Sequence, residues 1–269
     1  MSYEPLASSE FQKMYFSLSS DLAQLLDITI LDVDEDCIEK YLHDSFSQIM
    51  HFHNEEAYKA RDVEIFRLAF LRKHLKNIQK YDSNKFEEFR NRLKSEGYDE
   101  YFGIRFEIAI ASSFIDKELG FEARETPDFE IQETEKIFAE CTSSHLAKER
   151  ERGLEYKIER AIRDKTGEPY DSKNTALMIE ATNLSHHMAA TDASLKKKED
   201  LKEHLKPKIE KSDYGSVLIF TFLFKEKNFS SKYIRIDNSS IDSELKAFLN
   251  NYYAEDDVHI EKPWFPREG

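Results

Sequence analysis

Between residues 97 and 165 the spacing of apolar side chains passes from helical to strand-like and back, which leaves few folds open. Residues 104–119 form an apolar-rich helical run stopped by Gly120. Three short strand-like pieces follow at 121–125, 128–132 and 136–142. Helical spacing returns at 154–165, where Gly167 and Pro169 end it. Residues 175–183 and 215–225 read as buried strands, 193–211 as a charged helix and 232–237 as a further strand. Helix, three strands, helix, strand, then more helix and strand is the order of an α/β protein with a sheet between helices.

The chain before Gly97 is helical throughout. Met14, Tyr15, Leu18, Leu22, Leu25 and Leu26 share one helical face. Ile38, Tyr41, Leu42, Phe46 and Ile49 share a second, and a long third run covers 55–81. Phe86, Phe89 and Leu93 mark a shorter helix that Gly97 closes. Asp32, Asp34 and Asp36 have the look of a calcium loop, but Cys37 and His43 stand where it needs Gly and Glu, so they read as helix-capping acids. His51, His53, His186 and His187 lack the spacing and the further ligands of a zinc site.

Three acidic residues after Gly97 are placed to converge. Asp128 follows Pro127 at the start of one strand, and Glu140 lies near the end of the next, twelve residues on. A hairpin of that length sets the two strands side by side and brings their carboxylates together. Glu107 sits on the preceding helical run and is expected to lean over the same sheet edge. Two or three carboxylates suit Mg²⁺ or Mn²⁺, which also keeps waters and takes substrate phosphate oxygens. Such an ion activates its water and neutralises charge developing on a phosphodiester.

The segments Arg105-Phe106-Glu107-Ile108-Ala109, Pro127-Asp128-Phe129 and Phe138-Ala139-Glu140-Cys141-Thr142 resemble the PD-(D/E)XK nuclease superfamily. The resemblance covers residues 102–183. It implies a restriction endonuclease-like αβββαβ core, a mixed sheet between helices, preceded by an α-helical region. The expected division is 1–97 helical, 98–254 nuclease-like and 255–269 a tail. The implied activity is Mg²⁺- or Mn²⁺-dependent hydrolysis of phosphodiester bonds in DNA. Asp128 and Glu140 would hold the metal, and Glu107 would assist or bind a second ion.

The family usually carries lysine two residues after the Glu, and here Thr142 stands in that place. Some members take the lysine from the following helix. Lys157 and Lys165 border its apolar stripe, Lys157 being the first choice and Lys165 the reserve. Both also fit solvated side chains on a surface helix. The missing lysine keeps a second function open: a nuclease fold without catalysis that binds nucleic acid or a protein.

Phosphate contacts are expected from Lys148, Arg150 and Arg152 and from Lys196, Lys197 and Lys198, all in charged stretches that also suit a solvated surface. The net charge of -14 works against unaided nucleic-acid binding, though screening leaves room for a local basic face. Two cysteines exclude a disulfide framework. With no apolar leader and no span-length apolar run, the expectation is a cytoplasmic protein without a membrane partner. The N-terminal helices are candidates for a homodimer or a protein contact.

Overall fold

The computed structural model of the chain describes residues 8–29, 42, 55–95, 100–132, 136–143, 154–182, 198–225 and 228–254. The chain divides into two compact units, Met1–Asp116 and Lys117–Gly269. The helical run after Gly97, counted with the nuclease-like region on sequence grounds, therefore groups with the N-terminal helices.

The first unit holds α1 (Ser8–Leu26), α2 (Glu55–Tyr81), α3 (Ser83–Ser95) and α4 (Tyr101–Asp116). α2 is its axis, with α1, α3 and α4 all packed on it. Each contributes a stripe at helical intervals: Leu18, Leu22 and Leu26 from α1, Leu71, Leu75 and Ile78 from α2, Phe86, Phe89 and Leu93 from α3. Asp82 separates α2 from α3. Its Oδ1 accepts from the amides of Asn84 at 2.8 Å and Lys85 at 3.2 Å, the bonds of a helix N-cap. Of the expected helix through Ile38 and Ile49, only Leu42, helical and buried, is among the described residues.

The second unit is α/β. Among the described residues its strands are β1 (Phe121–Ala123), β2 (Phe129–Gln132), β3 (Lys136–Ser143), β4 (Thr175–Glu180), β5 (Ser216–Lys225) and β6 (Asn228–Asp237). They lie in sequence order in one sheet. β1, β2 and β3 are antiparallel neighbours, β3, β4 and β5 are parallel, and β6 returns antiparallel, so the sheet is mixed. β4 is buried at every position, as expected for a central parallel strand covered on both faces.

Among the described residues this unit also holds the helices α5 (Leu154–Lys165), α6 (Lys198–Ile209) and α7 (Ser243–Tyr252). α5 links the parallel pair β3 and β4, and its Ile158 and Ile162 join Leu201, Leu205 and Ile209 of α6 over Leu177, Ile179, Val217 and Ile219. α7 covers the opposite face, where Tyr253 meets the Phe220 ring edge-on. Asp242 caps it by accepting from the Glu244 and Leu245 amides. α5 stops at Thr166, whose hydroxyl donates to the Ile162 carbonyl, and at Gly167, whose φ of +88° favours glycine. Among the described residues, no helix is long and apolar enough to cross a membrane.

Candidate functional site

The β2–β3 hairpin sets the geometry of the acidic pair. Phe129 lies opposite Ala139, so Asp128 and Glu140 are the next facing positions and share one side of the sheet. The regular ladder ends there, and the Asp128 side chain continues it: the Cys141 amide donates to Asp128 Oδ2 at 2.6 Å. The Asp128 amide points in turn to Glu140 Oε2, a long contact of 3.4 Å. Alternation sends Cys141 to the other side of the sheet, where it is buried and free of any disulfide.

Glu140 lies on the face covered by α5 and is 4% exposed. A carboxylate that dry needs a counter-charge and donors. Lys165 Nζ donates to its Oε1 at 2.6 Å, and the Tyr170 hydroxyl donates to the same oxygen at 3.0 Å. Burial acts to lower the Lys165 pKa. The hydrogen bond and charge of Glu140, aided by Tyr170 and Asp128, outweigh it and hold the ammonium above the ordinary lysine range. Burial first, then the Glu140 charge, pushes the Tyr170 phenol up from its usual value. The Tyr214 hydroxyl donates to the Lys165 carbonyl at 2.9 Å and fixes the end of α5.

Lys157, the first choice on sequence grounds, is buried on α5, but the lysine on Glu140 is Lys165. Helical side chains lean toward the N-terminus of their helix. Lys165, at the C-terminal end, leans back along α5 to Glu140. Lys157 starts about 12 Å earlier along the axis.

Glu107 belongs to the first unit, where both of its oxygens are occupied: Arg92 of α3 donates to Oε2 at 2.5 Å and to Oε1 at 3.0 Å. This forked pair is a strong way to neutralise a buried carboxylate. Arg92 and Tyr170 were not singled out in the sequence. Neither sits in a motif, and only the packing of α3 on α4, and of the turn after α5 on the sheet, reveals them.

Glu130, on the same sheet side as Asp128 and Glu140, is met by Arg124 and Lys136. Lys148, Arg150, Arg152, Lys196 and Lys197 lie outside the described residues, as do His51, His53, His186 and His187. Lys198 opens α6, and its side chain also lies outside them. A cleft of about 700 Å³ opens in the second unit between α6, β6 and the end of α7. Its buried cation, Arg235, is engaged by Asp237 and Asn250.

No family model, curated protein or solved structure matches this chain. Chemistry at Asp128 and Glu140 therefore rests on their donor set. Two hard carboxylates on adjacent strands suit Mg²⁺ or Mn²⁺, which need only one or two protein carboxylates beside waters and phosphate oxygens. Among the described residues no third acidic, His or Cys ligand joins them.

Proposed function

We propose that the chain is a divalent-metal-dependent nuclease that hydrolyses phosphodiester bonds in DNA, with its centre at Asp128, Glu140 and Lys165. The observation that carries this reading is that Asp128, Glu140 and Lys165 gather on one sheet face: the Asp128 amide contacts Glu140 Oε2, Asp128 Oδ2 accepts from the neighbouring Cys141 amide, and Lys165 Nζ donates to Glu140 Oε1. Asp128 and Glu140 would hold Mg²⁺ or Mn²⁺. The ion, when bound, supplies an activated water and neutralises charge on the phosphate. Lys165, held as an ammonium, acts as a donor and a positive charge rather than as a base, orienting the water or the phosphate oxygen beside Glu140. This centre is stated without Glu107, which is paired with Arg92 in the first unit.

The second reading, a nuclease fold that binds nucleic acid without cutting it, draws on Thr142 in place of the family lysine. Metal-dependent melting separates either nuclease-site reading from a site with no cation. A cation at ten times its Kd stabilises the fold by about 1.4 kcal/mol, a shift of roughly 3–5 °C. That shift is expected for the wild type with Mg²⁺ or Mn²⁺ and is expected to vanish in Asp128→Asn. An equal shift in both proteins would remove Asp128 from the site. Saturable DNA binding with the shift but without cleavage would favour the second reading.

A further inference from the structure

Resting on the reading of Asp128 and Glu140 as a cation site, we propose that Tyr170 is a positioning residue for Glu140, turning its Oε2 edge toward Asp128 and the cation. Oε1 receives two donors, Lys165 Nζ at 2.6 Å and the Tyr170 hydroxyl at 3.0 Å. Oε2 has the long contact to the Asp128 amide at 3.4 Å. Two donors on one oxygen fix the rotation of a carboxylate, and only the other oxygen then faces Asp128. Lys165 alone would leave that rotation to a flexible four-carbon stem. Tyr170 adds a rigid ring packed against the core around Ile158 and Ile162.

The turn that carries Tyr170 is clamped at both ends. On the α5 side, Gly167 donates to Asp171 Oδ2 at 2.8 Å, and Tyr214, itself fully buried, holds the Lys165 carbonyl. On the β4 side, Asn174 Nδ2 donates to the Lys136 carbonyl at 2.9 Å, and Lys173 Nζ donates to the Ser212 carbonyl at 2.9 Å. The phenol is thus presented by a braced segment. Second partners of this kind orient metal-binding carboxylates, and their loss typically costs 10–100-fold in metal affinity.

The test is calorimetric titration of the full chain with Mn²⁺ alone, at a temperature where every variant is folded. Tyr170→Phe keeps the ring and removes only the hydroxyl, and is expected to weaken Mn²⁺ binding by about 10–100-fold. Lys76→Met, a substitution of an exposed lysine on α2 that belongs to neither the brace nor the site, is expected to change binding by less than about threefold, within ordinary surface effects. Glu140→Gln is expected to abolish binding. Wild-type affinity in Tyr170→Phe, or equal losses in Tyr170→Phe and Lys76→Met, would overturn the positioning role while leaving the cation site standing. If the wild type binds no Mn²⁺, or Glu140→Gln binds as the wild type does, the cation reading fails and the role of Tyr170 falls with it.

Discussion

Glu140 and Lys165 form a pair in which the carboxylate is almost dry and the ammonium is about one-third exposed. Removing the cation from such a pair leaves a buried charge with weaker partners. Lys165→Met, which keeps the apolar stem, is expected to lower stability by about 1–3 kcal/mol in urea unfolding at pH 7. Lys157→Met, which breaks no ion pair among the described residues, is expected to cost less than Lys165→Met. Equal losses would deny Lys165 its special place. Asp128 and Glu140 were legible in the sequence because strand alternation and hairpin length fix which residues face each other. The choice between Lys157 and Lys165 was not, since both border the same apolar stripe of α5 and only the place of Glu140 along that helix, which the sequence does not give, separates them.

His74 carries a second prediction at this scale. It is buried on α2 against the Phe70 ring, with neither ring nitrogen hydrogen-bonded among the described residues. Burial first, and then the Lys73 charge, lowers its pKa to about 3 from the usual 6.5. Between those values the unfolded chain binds a proton that the folded chain does not. Its contribution is therefore intact above pH 6.5 and shrinks as pH falls toward 3, by about 2 kcal/mol at pH 5. His74→Leu is expected to remove that part of the acid sensitivity. An unchanged difference in urea midpoint between pH 7.5 and pH 5 would contradict it.

Among the elements, α2 and α5 follow directly from sequence because their apolar stripes keep helical spacing between clear stops: Asp82 and Gly167. The strands were harder to bound. β1 is only three residues, and β6 begins at Asn228 rather than near Lys232, because pairing with β5 extends it through polar residues that carry no periodic signal. α4 illustrates the limit of a composition boundary: the sequence suggests one at Gly97, yet the helix that follows packs on α2. Gly215, ahead of β5, marks another feature invisible in sequence. A Cβ there would lie 2.1 Å from the Lys173 carbonyl oxygen and 2.7 Å from Leu245. Gly215→Ala is therefore expected to cost about 1–3 kcal/mol by overpacking and to displace the turn that carries Tyr170. A melting temperature within 1 °C of wild type would show that the backbone yields there freely.

For the whole molecule, the α/β class and a mixed sheet with helices on both faces were legible, since element order alone dictates them. The division into units was not, because it depends on which helices α4 packs against. The proposed function rests on chemistry at one sheet face rather than on the charge of the chain: a net charge of -14 gives no general attraction for DNA, so on that proposal binding would come from local cations and the metal. Labelled single- and double-stranded DNA incubated with Mg²⁺ or Mn²⁺, with wild type beside Glu140→Gln, tests that chemistry most directly. Metal-dependent products from the wild type, and at least a hundredfold fewer from the variant, are the predicted result. Products at equal rates from both proteins, or none from the wild type at high enzyme concentration on several substrates, would contradict a hydrolytic centre at Asp128, Glu140 and Lys165.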